Sequence, residues 1–153
     1  MARRFTAAGY RVVLLARSEG RLREYEASLD GSLAIPCDVS NEAAINEAVV
    51  TCMSEMGVPE VVVHNVPRGV FGTFQEIDPT DMEEAFRVNA MSLLYLARAV
   101  APDMVNRGTG TIIVTGNTSA FRGKPNYSGF APTKAAQRIL AEALARDLGP
   151  KGI

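Results

Sequence analysis

An α/β fold built on a parallel sheet is what these 153 residues predict. Three observations lead there. Short apolar runs of strand length recur along the chain: residues 11–16 (RVVLLA), 60–65 (EVVVHN) and 111–115 (TIIVT). Longer segments with helix start and stop signals alternate with them, the order of strand–helix–strand units. The runs are apolar throughout rather than alternating, as in strands covered on both faces.

Taken in order, residues 2–8 read as a short helix closed by Gly9. The strand 11–16 follows. Ser18 is placed to cap a charged helix over 19–29. A second strand spans 33–39, with Pro36 pushing it toward a sheet edge. Ser40-Asn41-Glu42 opens a helix to Met56, stopped by Gly57 and Pro59. Strand 60–65 leads into a loop, 66–78, that holds Pro67, Gly69 and Gly72. Pro79 suits a first helical turn, because its missing N–H has no partner to lose there. One helix is predicted from about 80 to 106, strand 111–115 comes next, and a polar loop covers 116–127. A last helix spans roughly 128–148 and ends at Gly149-Pro150.

Apolar residues make up 47% of the chain and charged residues 22%, enough to build a core. The net charge of −1 supplies no basic field for nucleic acid. No apolar run approaches the roughly 20 residues of a membrane span, and the start (MARRF) shows no apolar signal region. Cys37 and Cys52 lack metal-ligand spacing, so no metal site is expected, and they read as small buried apolar residues. A cytoplasmic location is the expectation. His64, the only histidine, ends an apolar strand and reads as a hydrogen-bonded structural residue.

The last third carries a family resemblance. FRVNAMSLLYLARA, TIIVTGN, PNYSGFAPTKAA and LARDLGPKGI together resemble a short-chain dehydrogenase/reductase. RVVLLARSEGRL, PCDVSNEAA and VVVHNVPRGVFG extend it over nearly the whole chain. The resemblance implies a Rossmann-like fold that binds NAD or NADP and moves hydride between nicotinamide and a carbonyl or alcohol. In that family a tyrosine four residues before a lysine shares a helical face with it. The lysine lowers the phenol pKa and holds the nicotinamide ribose. A serine about 13 residues upstream holds the substrate oxygen, and an asparagine supports the lysine. The family sheet order is 3-2-1-4-5-6-7, and this chain is expected to be a single partial domain, 1–153, lacking strands 1, 6 and 7. Removing strand 1 leaves a gap of about 9.6 Å. Either 11–16 then pairs directly with 60–65, or the sheet splits and the chain is poorly stable alone.

The departures carry as much information. Lys134 and Asn89 match the family positions. Phe130 replaces the tyrosine and has no proton to give; Asn117 replaces the serine. Asn117 retains a donor for a carbonyl, and Thr118 and Ser119 are the hydroxyls beside it. Tyr127 is the substitute phenol, either within reach from the loop or two turns and ~10 Å away on a helix. The family's Gly-x-x-x-Gly-x-Gly turn, where a helix N-terminus grips pyrophosphate, is not found. Gly9 follows the first helix, and Gly108-x-Gly110 precedes a strand. Pro67 stands in the family's Asn-Ala-Gly turn, removing an N–H beside Asn65. Arg17, with no acidic residue ending its strand, implies NADP over NAD, and Asp38 matches the aspartate at the adenine edge.

The expected catalytic set is Asn89, Asn117, Lys134 and Tyr127, and the cofactor set is Arg17, Asp38, Asn65 and Lys134. The leading expectation is an NADP-linked oxidoreductase, weak or inactive in this form, acting on a small carbonyl or alcohol. The alternatives are a non-catalytic dimerising module or an incomplete copy of a longer enzyme. The stretch 90–101 is too apolar for one buried face. A homodimer through helices 80–106 and 128–148 is the resemblance's explanation; burial under a loop is the other.

Overall fold

The computed structural model describes residues 1–153. Six α-helices and four strands alternate, and the chain forms two compact units, Met1–Val58 and Pro59–Ile153.

In the first unit, α1 (Ala2–Ala7) precedes β1 (Val12–Ala16). Gly9 takes φ +87 just past α1, the left-handed turn for which glycine is suited. Helix α2 (Glu19–Ala27) crosses to β2 (Ser32–Pro36), which runs parallel to β1 from Val12↔Ser32 to Ala16↔Pro36. β2 stops at Pro36, earlier than the expected Val39. Its Ala34 N–H does not stay bare, since Glu26 Oε1 on α2 accepts it at 2.7 Å. That bond, with Arg23 beside it, holds the Glu26 carboxyl below its ordinary range. Ser18 occupies the N-cap of α2 without a side-chain bond. Asn41 does cap α3 (Glu42–Met56), accepting the Ala44 N–H at 3.2 Å. Leu22, Leu29, Ala34, Ile45, Ala48 and Val49 are the buried apolar residues here. Cys37 is buried as expected, whereas Cys52 is only half-buried.

The second unit holds β3 (Val61–His64) and β4 (Thr111–Val114), parallel in register from Val61↔Thr111 to His64↔Val114. Asp78 caps α4 (Pro79–Phe86), with Pro79 in the first turn as expected. The single helix predicted over 80–106 is interrupted. A π turn, Arg87–Met91, separates α4 from α5 (Ser92–Arg107), inserting a residue and turning Asn89 inward to full burial. α5 ends on Gly108 at φ +76. Leu93, Ala97, Val100, Ala101 and Met104 are its buried apolar positions, so the stretch 90–101 is buried along one side. A 3₁₀ turn, Thr118–Phe121, lies inside the expected loop, and α6 runs Phe130–Leu148, starting two residues later than expected.

Strands 11–16 and 60–65 do not pair. Each sheet has two strands, β1 with β2 and β3 with β4. Each is a strand–helix–strand unit whose crossover joins the two strands that pair, so the split sheet is the outcome. No helix is long and apolar enough to cross a membrane.

Candidate active site

The candidate residues of the second unit gather where β3 and β4 end. A parallel pair delivers both C-terminal ends to one side, where loops carry side chains. His64 closes β3 and is 2% exposed. Its Nε2 lies 2.6 Å from Ser92 Oγ, which itself donates to the Val88 carbonyl at 2.6 Å. The Ser92 proton is therefore spent, and His64 must donate from Nε2. Its Nδ1 then accepts from Gln137 Nε2 at 3.0 Å. Both ring nitrogens are satisfied by the neutral imidazole. Burial, and next the charge of Lys134, push its pKa down to about 4. His64 is the structural residue the sequence suggested.

Lys134 lies on α6, one turn before Gln137, and is 3% exposed. Its ammonium donates to the Thr115 carbonyl at 3.0 Å and pairs with no carboxylate. Burial lowers its pKa. Thr115 also donates through Oγ1 to Asn65 Oδ1 at 2.9 Å. Two expected cofactor residues, Asn65 and Lys134, thus meet on one threonine.

Asn89 is fully buried and spends its amide locally. Its Oδ1 accepts the Arg68 N–H at 2.8 Å, and its Nδ2 donates to the Arg68 carbonyl at 2.9 Å and to Thr133 Oγ1 at 2.8 Å. Thr133 donates onward to the Phe130 carbonyl at 2.8 Å. One asparagine therefore ties the loop after β3 to the first turn of α6, the turn that sets Phe130 and Lys134. The Arg68 guanidinium anchors the same loop to Asp81 at 2.8 Å and Glu84 at 2.7 Å on α4.

Phe130, in the family's tyrosine place, is buried, with its ring centroid 5.2 Å from that of Phe71. Phe71 meets the Tyr127 ring edge-on at 5.3 Å. Tyr127 is half-buried, and no hydrogen bond joins it to Lys134. Asn117 is exposed; its Oδ1 accepts the Ser119 N–H at 2.9 Å.

Arg17 and Asp38 belong to the first unit and lie just past the ends of β1 and β2, both exposed. Asp38 Oδ1 accepts from Ser40 N at 3.0 Å and Ser40 Oγ at 2.8 Å. Those bonds, with the Arg17 charge as a smaller contribution, lower its pKa. Sequence reasoning missed Ser92, Thr115, Thr133 and Gln137. Gln137 carried a signal, three residues after Lys134 on the same helical face.

A family model described as enoyl-(acyl carrier protein) reductase matches residues 1–153. The D-xylose 1-dehydrogenase of Caulobacter vibrioides is 31% identical over 153 residues, covering 97% of this chain and 60% of the relative. The 7alpha-hydroxysteroid dehydrogenase of Escherichia coli is 29% identical over 122 residues, covering 80% of this chain and 48% of the relative. A crystal structure of a short-chain dehydrogenase from Streptomyces avermitilis superposes with a TM-score of 0.94 at 29% identity, over 99% of this chain and 56% of that one. A closed form of serine dehydrogenase complexed with NADP+ gives 0.91 at 30% identity, over 96% and 60%. Parallel strands joined by crossover helices define an α/β protein. The chain belongs to the short-chain dehydrogenase/reductase family and has its Rossmann-type fold in part. It spans 60% and 48% of the lengths of those two relatives.

Proposed function

We propose that this chain is an NADP-linked hydride-transfer protein of the carbonyl/alcohol type, weak or inactive in this form, in which residues 1–153 work as one partial domain. The observation that carries the reading is Lys134: a buried ammonium with one backbone acceptor and no counter-charge, standing one turn beyond a phenylalanine. A buried cation of this kind calls for further oxygen partners, and ribose hydroxyls fit its remaining donors. Asn65, linked to it through Thr115, joins the same end. Within the first unit, Arg17 and Asp38, exposed past the ends of β1 and β2, suit an adenosine group by the family resemblance, Arg17 toward a 2′-phosphate. No glycine-rich turn for the pyrophosphate lies within residues 1–153.

NADPH, when bound, supplies the hydride. The chain's own part is positioning. Asn89 fixes the loop and helix turn around Lys134; Asn117 offers its Nδ2 to a carbonyl oxygen; Lys134 holds positive charge beside the site. Proton delivery is the missing function, because Phe130 has no titratable group, and Tyr127 is the remaining phenol in this segment. Titration of NADPH fluorescence tests the reading. Saturable enhancement lost in Lys134→Ala is expected; no binding at millimolar NADPH contradicts it.

A second reading, a non-catalytic homodimer through the helices within 80–106 and 128–148, is favoured by two exposed apolar side chains on those segments, Met91 and Ile139. Size-exclusion chromatography with light scattering tests it: a clean monomer removes it. A cytoplasmic location accompanies either reading.

A further inference from the structure

We propose that Glu26 is a plug on the outer edge of β2, keeping that edge from adding the β2 strand of a second copy of this chain. The edge can be followed donor by donor. Along a strand, the N–H and C=O of one residue share a side, and the sides alternate. Two bonds bracket the pairing with β1: Val12 N–H donates to the Gly31 carbonyl at 3.3 Å, and Cys37 N–H donates to the Ala16 carbonyl at 2.9 Å. Leu33 and Ile35 therefore face β1 as well, and Ser32, Ala34 and Pro36 face away from it.

None of these outward residues offers a free donor. Ser32 N–H turns back to the Leu29 carbonyl at 3.1 Å. Pro36 has no N–H, a device edge strands use against pairing. Ala34 N–H goes to Glu26 Oε1 at 2.7 Å. The first two closures are local to the strand and its entry turn. The third is made by a side chain on another element, the last turn of α2.

The plug is held in place. Arg23 Nη1, one helical turn earlier, donates to Glu26 Oε2 at 2.9 Å and leaves Oε1 for the strand. Without the carboxylate, Ala34 stands at the centre of an unpaired edge. β2 reads SLAIP and carries no charge to repel its like. An antiparallel copy related by a two-fold axis at Ala34 exchanges both bonds of that residue, N–H to carbonyl in each direction. In that register Ser32 of each copy meets Pro36 of the other. Neither has a free donor, so the Ala34 pair decides, and that is the pair Glu26 closes. The inference concerns the unit Met1–Val58. It stands apart from the hydride-transfer reading, and a chain that fails to bind NADPH still tests it.

The test is sedimentation velocity over a concentration series, with amide hydrogen exchange read residue by residue on the same samples. The intact chain is compared with Glu26→Ala, Glu26→Gln and Glu24→Ala. All three variants remove one negative charge, so a general charge effect moves them together. Glu26→Ala should self-associate at about tenfold lower concentration than the unaltered chain, the worth of the two amide bonds exchanged at the two-fold axis. Glu26→Gln keeps an oxygen acceptor, and Glu24 is an exposed residue on the same helix; both variants should behave as the unaltered chain does. The Ala34 amide should be protected in the unaltered chain, open in dilute Glu26→Ala, and protected again as that variant associates. Continued protection of Leu33 and Ile35 shows that the ladder is intact. Where Glu26→Ala disturbs it, Glu26→Asp carries the test, because it keeps the charge and withdraws the acceptor from the strand. The proposal is overturned by unchanged association in both Glu26→Ala and Glu26→Asp, by an equal rise in Glu26→Gln or Glu24→Ala, or by an Ala34 amide that stays open in the associated form.

Discussion

The strand ends of the two units differ in kind. Past β1 and β2, Arg17 and Asp38 are exposed, and Asp38 is held by its own turn. Past β3 and β4, buried His64, Lys134 and Gln137 and half-buried Thr115 form a hydrogen-bonded network. The exposed end is adjustable at little cost to the fold. The buried end couples chemistry to stability, because a neutral donor removed there strands its partner, whereas removing the ammonium also removes an unpaired buried charge.

Asn89 should break the buried end most completely. Asn89→Ala removes three bonds, leaving the Arg68 N–H without its acceptor and Thr133 Oγ1 with only its bond to the Phe130 carbonyl. A loss of ~3 kcal/mol is expected, read as a lower urea midpoint. Nearly the same magnitude should follow from pH. His64 binds its proton near pH 6.5 when unfolded but only near 4 when folded. The unfolded chain therefore holds more protons between those values. The stability is whole above about 6.5 and falls as pH drops toward 4, by about 3 kcal/mol. As the only histidine, its titration is resolvable by NMR, and a folded-state pKa near 6.5 would refute the network.

Lys134→Met sharpens the contrast with a smaller effect of opposite sign. Replacing an unpaired buried ammonium by an apolar side chain should stabilise by ~1 kcal/mol while abolishing NADPH binding, and it should raise the His64 pKa by removing a nearby charge. Arg17→Ala should change thermal stability least, by under about 0.5 kcal/mol, and show itself only as a lost preference for NADPH over NADH in binding titrations.

Legibility followed burial and periodicity. Apolar runs announced β1, β3 and β4, and Asn41, Pro79 and Gly57 announced their helix ends, because caps and positive-φ turns have local chemistry. The π turn at Arg87–Met91 had no such signal: RVNAM is compatible with an uninterrupted helix, and Asn89's tertiary bonds favour the inserted residue. At the site, Lys134, Asn89 and the Phe130 departure were readable by spacing. Thr115 and Thr133 were not, because a threonine's partners are fixed by packing across residues far apart in sequence, such as Asn65 and Thr115.

The central claim is that the lysine scaffold persists without its proton donor. NADPH oxidation against a panel of small carbonyls, run on the chain and on Phe130→Tyr, tests it most directly. The account predicts little or no turnover in the chain and a gain of roughly 10² or more in the variant, the ordinary worth of a positioned general acid. Equal turnover in both, or no gain from the restored phenol, would contradict it.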